Sequence, residues 1–283
     1  FASLLESHPF ISKVLPIEMK KWKKRPLSLK TFKQVRIFFS SLRKEKYDLL
    51  IDLQGNIKSA SIVLFSKAKE KVGFSFGSAP EWPSALFLSH RYCPLKKDPM
   101  PLQYLTLIQK HFQLTPYFVS PNTSLHITDQ EKSWIDARIK TKKTNLMICF
   151  SSNWENKKLS LETWAKFLKK VEAEVAPHFF FVWGNEKEKE EGERLHQAVP
   201  HSSDLLAKMR LPLWQQFMAR MDGVLSVDSS ALHLAATVNV PSFSVFGPSR
   251  ASLYQPVGKN HHSFQALCPY GKSFDKRCPI LRS

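Results

Sequence analysis

"SVDSSALHLAAT", Ser226 to Thr237, starts as a buried strand and ends as an apolar helix. The junction carries Asp228, Ser229 and Ser230, with His233 four residues beyond Ser229. A strand that delivers an acid to its carboxyl end, followed at once by a helix that a hydroxyl residue can cap, is a common way for α/β sheets to build a ligand site. The free N–H groups and the dipole of the helix start suit an anion such as a diphosphate, and His233 falls one turn along the same helix face as Ser229. Taken alone, the same letters also describe a plain cap and a helix histidine, so the surrounding pattern has to decide.

Outward from this stretch, strands and helices alternate. Toward the C-terminus, "SFSVFG" is a further strand. Toward the N-terminus come a helix over 211–221, a charged helix over 186–198, the strand "HFFFVWG", a helix over 161–175, the strand "NLMICF" and a helix near 131–139. Residues 115–128, "TPYFVSPNTSLHIT", are rich in Pro, Ser, Thr and Asn and read as a linker. Before it lie a helix over 102–112, the short strand "KVGF", the helical run "IKSASIVLFSKA" and the strand "YDLLIDLQG", which ends in a glycine turn. Further upstream, Phe32, Val35, Phe39 and Leu42 repeat at helical spacing. Alternation on both sides of a linker predicts two α/β domains with parallel sheets, residues 1–125 and 126–283, and a ligand at the carboxyl ends of the strands.

Composition narrows the function. The chain of 283 residues is 43% hydrophobic, enough for two cores, but no apolar run approaches the ~20 residues that span a bilayer, and the N-terminus shows no secretory pattern. Four cysteines in such a length point to a reducing compartment rather than a disulfide scaffold, and Cys268 with Cys278 is no metal-ligand set. The net charge of +18 is uneven: residues 1–140 carry 23 Lys and Arg against 11 Asp and Glu. Its densest cluster is "KKWKKR", Lys20 to Arg25. Such a field attracts nucleic acid, anionic lipid or phosphorylated substrates, and Trp22 within the run suits a membrane interface. No helix-turn-helix, zinc-finger or RNP-type motif supports a nucleic-acid partner.

Several stretches, in order, resemble the bacterial glycosyltransferase family 9, the lipopolysaccharide heptosyltransferases. "SVDSSALHLAATVNVPSFSVFGPS" is similar to that family's Asp, small hydroxyl residue, His five after the Asp, Ala-rich helix, Pro, strand and Gly-Pro-Ser/Thr. "YDLLIDLQGNIKSA" resembles its Asp strand with Gln-Gly and Lys-Ser-Ala. "CFSSNWENKKLSLETW" resembles its donor-phosphate loop, and "VWGNEKEKE" its nucleotide-holding turn. The resemblance runs nearly from end to end. Two positions depart from the pattern: Ser230 stands where a glycine is usual, and Leu159-Ser160 where Trp-Pro follows the loop lysine.

The resemblance implies two Rossmann-like domains facing across a cleft, the GT-B type, with the N-terminal domain lacking its first strand-helix unit. It implies transfer of heptose from ADP-heptose to a lipopolysaccharide inner-core acceptor, inverting and metal-independent, with no cofactor beyond the nucleotide-sugar substrate. Carried over by residue, Ser151, Ser152 and Lys157 contact the donor phosphates, Glu188 the ribose, and Met209 lies near the adenine. Asp228, Ser229, Ser230 and His233 hold the sugar and diphosphate, while Gln54 and Lys58 face the anionic acceptor. The aspartate expected as general base would precede Phe1 and a closing helix would follow Ser283, so this chain alone would be inactive. The protein is expected to act as a monomer in the cytoplasm, at the inner face of the inner membrane, in peripheral contact with anionic lipid. The alternatives are a degenerate, non-catalytic protein of the same fold and a basic protein that binds anions or membranes.

Overall fold

The computed structural model describes residues 2–6, 8–115, 117–118, 122–268, 270–272 and 278. The chain separates into two units, Lys13–Phe118 and a second made of Phe1–Ser12 with Val119–Ser283. The first helix, α1 (Ala2–Glu6), belongs to the second unit, where Leu4 packs against the apolar core. The folded division therefore differs at both ends from the one expected at residues 125 and 126. The first twelve residues leave the N-terminal domain. Leu125 is buried in the second unit and donates its N–H to Gln215 Oε1 (2.9 Å), while Gln215 Nε2 donates to the Thr123 carbonyl (2.7 Å).

In the Lys13–Phe118 unit, α2 (Met19–Lys24) and α3 (Leu29–Lys44) precede β1 (Tyr47–Asp52), α4 (Ile57–Phe65) and β2 (Ala68–Phe74). A 3-10 turn over Trp82–Phe87, β3 (His90–Tyr92) and α5 (Met100–His111) complete it. The sheet is parallel, in the order β1-β2-β3. The β1–α4 turn needs its glycine: Gly55 has φ +60°, and a Cβ there would come within 2.9 Å of Pro80 Cδ. Asn56 caps α4 by a reciprocal bond with Ser59. The buried Asp52 carboxylate accepts from the N–H groups of Gln54 and Gly55 and from Ser59 Oγ, so its acid locks the turn.

Helix α3 departs from its expected apolar stripe. Leu42 is buried and Phe39 packs edge-on against Phe65 (4.9 Å), but Phe32, two turns earlier, is 68% exposed. Trp22, in the middle of the lysine run, is partly buried. It packs edge-on against Phe38 and donates from Nε1 to Gln34 Oε1 (3.2 Å), which ties α2 to α3. Of the "KKWKKR" run, the side chains of Lys20 and Lys23 lie outside the described residues.

The second unit carries α6 (Asp129–Asp136), β4 (Asn145–Cys149), α7 (Leu161–Val175), β5 (His178–Phe181), α8 (Glu186–Ala198) and β6 (Ser203–Leu205). It continues with α9 (Leu211–Met218), β7 (Gly223–Val227), α10 (Ser230–Thr237), β8 (Ser242–Phe246), α11 (Ala251–Tyr254) and β9 (His261–Gln265). All six strands are parallel, ordered β6-β5-β4-β7-β8-β9. Helices cover both faces, which is why "HFFFV" is continuously apolar. Phe180 meets Phe217, Met147 and Val224 on one side, while Phe179 and Phe181 join Trp164, Leu168 and Leu195 on the other. The chain winds outward from β4 through β5 to β6, then returns and winds the other way from β7. The switch falls between the carboxyl ends of β4 and β7, the position at which open α/β sheets hold ligands.

Candidate functional site

The stretch at 226–237 folds as a strand, a turn and a helix at this switch point. Asp228 continues β7 by donating its N–H to the Val245 carbonyl (3.1 Å). Ser229 is extended (φ −148°, ψ 172°) and is the cap of α10: its Oγ accepts from Ala231 N–H (3.3 Å) and lies 3.1 Å from Ser226 Oγ. Ser230 is the first helical residue, and His233 follows on the helix.

From β4, Ser151 and Ser152 lead into a loop that ends in a 3-10 turn over Glu155–Lys157. Ser152 Oγ donates to the Asp228 carbonyl (3.3 Å), which ties this loop to the β7 turn. Lys157 Nζ lies 2.6 Å from Asp228 Oδ2, with the two side chains only 14% and 9% exposed. Among the described residues that ammonium is the one partner of a buried carboxylate oxygen with no other hydrogen bond. Among the described residues the buried Ser151 hydroxyl has no hydrogen-bond partner. Charges withdrawn from water this far are held mainly by each other, and such a pair responds strongly to a further charge brought beside it.

Burial pushes the His233 imidazole below its ordinary value; Asp228 pulls it partly back and Lys157 lowers it further. Burial pushes the Cys149 thiol far up, so this cysteine packs and does not ionise.

The carboxyl end of β5 supplies the third wall. Glu188 Oε2 accepts the Gly184 N–H (2.7 Å), while Glu188 N–H donates to Asn185 Oδ1 (3.0 Å), fixing the start of α8. Trp183 Nε1 donates to the Leu206 carbonyl (2.7 Å). Met209 precedes α9 beside Arg210, whose guanidinium makes two bonds to Glu131 and draws that carboxyl down to about 2. Lys158, next to Lys157, is only 12% exposed at its side chain. It pairs with Glu155 (3.3 Å) and with Glu191 on α8 (3.5 Å). Together with Lys187–Glu155 (2.8 Å), these pairs fasten the loop to α8.

Ser151, Ser152, Lys157, Glu188, Met209, Asp228, Ser229, Ser230 and His233 all line one cavity of about 550 Å³. Sequence reasoning missed Trp154, Trp183, Trp214 and Tyr254, which also line it. Trp183 was legible in outline, since it ends the apolar run "HFFFVW" just before the Gly184 turn. Tyr254 was not, because it reaches the cavity from α11, a four-residue helix too short to leave a periodic signal. Gln54 and Lys58 lie in the other unit, both exposed, at the turn into α4 and on its first turn. Among the described residues no group of three or more His, Cys, Asp or Glu could hold a metal ion, and no helix is long and apolar enough to cross a membrane.

Known proteins match along most of the chain. The lipopolysaccharide heptosyltransferase 1 of Escherichia coli (strain K12) is 24% identical over 260 residues, 92% of this chain and 79% of that protein. That of Pseudomonas aeruginosa is 23% identical over 278 residues, 98% of this chain and 76% of that protein. The E. coli heptosyltransferase WaaC has been solved with ADP and with ADP-2-deoxy-2-fluoro heptose. These structures share the fold, with TM-scores of 0.79 and 0.78 and identities of 22% and 23%, and cover 94% of this chain and 81% of theirs. The α/β fold of two Rossmann-like domains, the GT-B type, is thus the one expected from the sequence. The model of glycosyltransferase family 9 (heptosyltransferase) matches residues 35–282, and the chain is a glycosyltransferase that belongs to this family.

Proposed function

We propose that this chain transfers heptose from ADP-heptose to an inner-core acceptor of lipopolysaccharide. The observation that carries the reading is the buried Lys157–Asp228 pair beside the start of α10, inside the cavity that all nine expected donor residues line. The named relatives act in the same synthesis, and one is solved with the donor analogue. In this reading the diphosphate lies against the α10 N-terminus, Ser151, Ser152 and Lys157. The adenine packs by Met209, with a tryptophan such as Trp183 as a flat apolar wall, and Glu188 accepts from the ribose. Asp228 and His233 hold the heptose through its hydroxyls.

The reaction is a single inverting displacement. The acceptor oxygen loses its proton to a base and bonds to the anomeric carbon as the bond from that carbon to the diphosphate oxygen breaks, with its electron pair leaving on the diphosphate. This chain's share is to stabilise that leaving charge. An ammonium and a helix N-terminus, aimed where the charge develops and partly shielded from water, supply this stabilisation without a metal. The Lys13–Phe118 unit takes the phosphorylated acceptor, with Lys58 and Gln54 toward it, and the protein works as a monomer at the cytoplasmic face of the inner membrane.

Titration with ADP, ADP-heptose and a uridine diphosphate sugar, followed by a transfer assay on heptose-deficient lipopolysaccharide, tests this. ADP-heptose should bind tightest, and the acceptor should gain a heptose in a protein that also supplies the base. Preference for the uridine donor, or binding that ignores Lys157→Met, contradicts the reading.

A further inference from the structure

Three tryptophans line the donor cavity, and they are not equally open. Trp183 is half-buried, with its Nε1 donated to the Leu206 carbonyl. Trp214 is half-buried as well: its Nε1 donates to Met147 Sδ (3.1 Å) and its side chain packs on the core. Trp154 is 37% exposed. It opens the 3-10 turn over Glu155–Lys157, and its carbonyl accepts the Lys157 N–H (3.0 Å), so indole and ammonium are set on one turn of backbone. Lys157 Nζ lies 5.8 Å from the centre of the Trp154 ring, close to the outer limit of about 6 Å for a cation over an aromatic face. Where a cation closes on an indole in this unit, as Arg138 does on Trp134, the distance is 4.0 Å. The same Lys157 Nζ is 2.6 Å from Asp228 Oδ2, so the indole stands beside the buried ion pair.

A large apolar face left this open among Ser151, Ser152, Asn153, Lys157 and Asp228 calls for a ligand that is polar at its rim and apolar on its face. A pyranose ring has that form, with hydroxyls around the edge and C–H groups above and below, and the negative face of an aromatic ring attracts such C–H groups. We infer that Trp154 is a specificity-determining residue for the donor: its indole is the platform on which the sugar ring packs, while Asp228 takes the hydroxyls at the rim. The diphosphate gains nothing from an apolar face. Adenine would, but Glu188 and Met209, which carry the adenosine in the proposed function, stand at the end of β5 and before α9, whereas Trp154 is tied through Lys157 to the end of β7. The contact exists with the sugar nucleotide and is absent with ADP, so it favours substrate over the product that must leave. The inference deepens the proposed function and rests on it for the direction in which the donor lies.

Calorimetric titration of the full chain with ADP and with ADP-heptose, in the parent, Trp154→Ala and Trp154→Phe, tests it. Trp154→Ala should lower ADP-heptose affinity about fivefold to tenfold, the scale of one aromatic face, and ADP affinity by less than about twofold. Trp154→Phe should keep most of the ADP-heptose affinity, because a phenyl ring still offers a face. Retained ADP binding shows at the same time that the variant cavity is folded. Equal losses for the two nucleotides overturn the platform, since Trp154 would then serve Lys157 or the adenine. So does ADP-heptose binding that ignores Trp154→Ala. A parent that prefers a uridine diphosphate sugar sinks the proposed function but not the platform, which is then read from that donor against uridine diphosphate. A loss confined to the sugar nucleotide upholds it, and a loss shared with the bare nucleotide overturns it.

Discussion

In the unit that contains β4 to β9, six parallel strands place phenylalanines on both faces of the sheet, and Phe179, Phe180, Phe181, Phe217 and Phe246 are fully covered. In Lys13–Phe118, three strands support a small buried cluster of Val63, Ala85 and Leu88 with Leu50 packed against it, while Leu27, Leu29, Phe32 and Ile37 stand in the open. The same alternation of strand, turn and helix serves two ends. Where the sheet is wide and covered, turns at its carboxyl edge are held rigidly enough to bury a lysine against an aspartate. Where it is narrow, cations and apolar side chains remain on the outside.

The sharpest way to break this contrast is to truncate one aromatic in each unit. Phe180→Ala should cost about 3–5 kcal/mol through its cavity, whereas Phe32→Ala should stay within ~0.5 kcal/mol. Urea midpoints at constant slope read this directly. Equal costs would mean that Phe32 is covered in solution.

Next in size is the buried ion pair. Lys157→Met leaves the Asp228 carboxylate uncompensated and should cost on the order of 3 kcal/mol of stability, and about 1–3 kcal/mol of ADP affinity. Adding Asp228→Leu should restore much of the stability and none of the binding. If the double variant regains ADP, Lys157 does not meet the phosphates.

Acid should weaken the wide-sheet unit first. Burial lowers His178, His233 and His261 below their ordinary value of about 6.5. The unfolded chain therefore takes up protons below that pH which the folded chain refuses. Stability is full above ~6.5 and falls as the pH drops through the window beneath it. Thermal unfolding followed from pH ~7 to ~5 should show this loss, and His233→Gln should make it shallower. A profile unchanged by that substitution would remove His233 from the account.

The smallest effect belongs to Lys158. Its pairs with Glu155 and Glu191 hold the donor loop to α8, so Lys158→Ala should weaken ADP by about 1 kcal/mol or less, well short of Lys157→Met. A loss equal to that of Lys157→Met would show that the loop's attachment, and not the ammonium beside Asp228, governs binding.

Much of the wide sheet could be read from residues alone, because buried parallel strands appear as unbroken apolar runs: "NLMICF", "HFFFVWG" and "GVLSVD" became β4, β5 and β7. Strands β3, β6 and β9 escaped notice. "HRY" and "SDL" are too short for a period, and "HHSFQ" is polar at a sheet edge. That the nine named residues share one cavity was legible through the family resemblance, and Ser151, Asp228 and Ser229 come within two residues of a strand end. The fate of α3 was not: apolar spacing announces a helix face but not which side chains find a neighbour, and Phe32 shares its stripe with Phe39 while only the latter meets Phe65. Nor does spacing disclose that Trp22 turns inward to Phe38.

The central claim is that the cavity at the β4–β7 switch takes the nucleotide diphosphate, and amide hydrogen exchange with and without saturating ADP tests it most directly. Protection should rise over Ser226–Leu234 and across the 151–157 loop, with α3 and β1–α4 unchanged. Protection confined to Lys13–Phe118, or saturation that leaves Ser226–Leu234 as it was, would contradict the account.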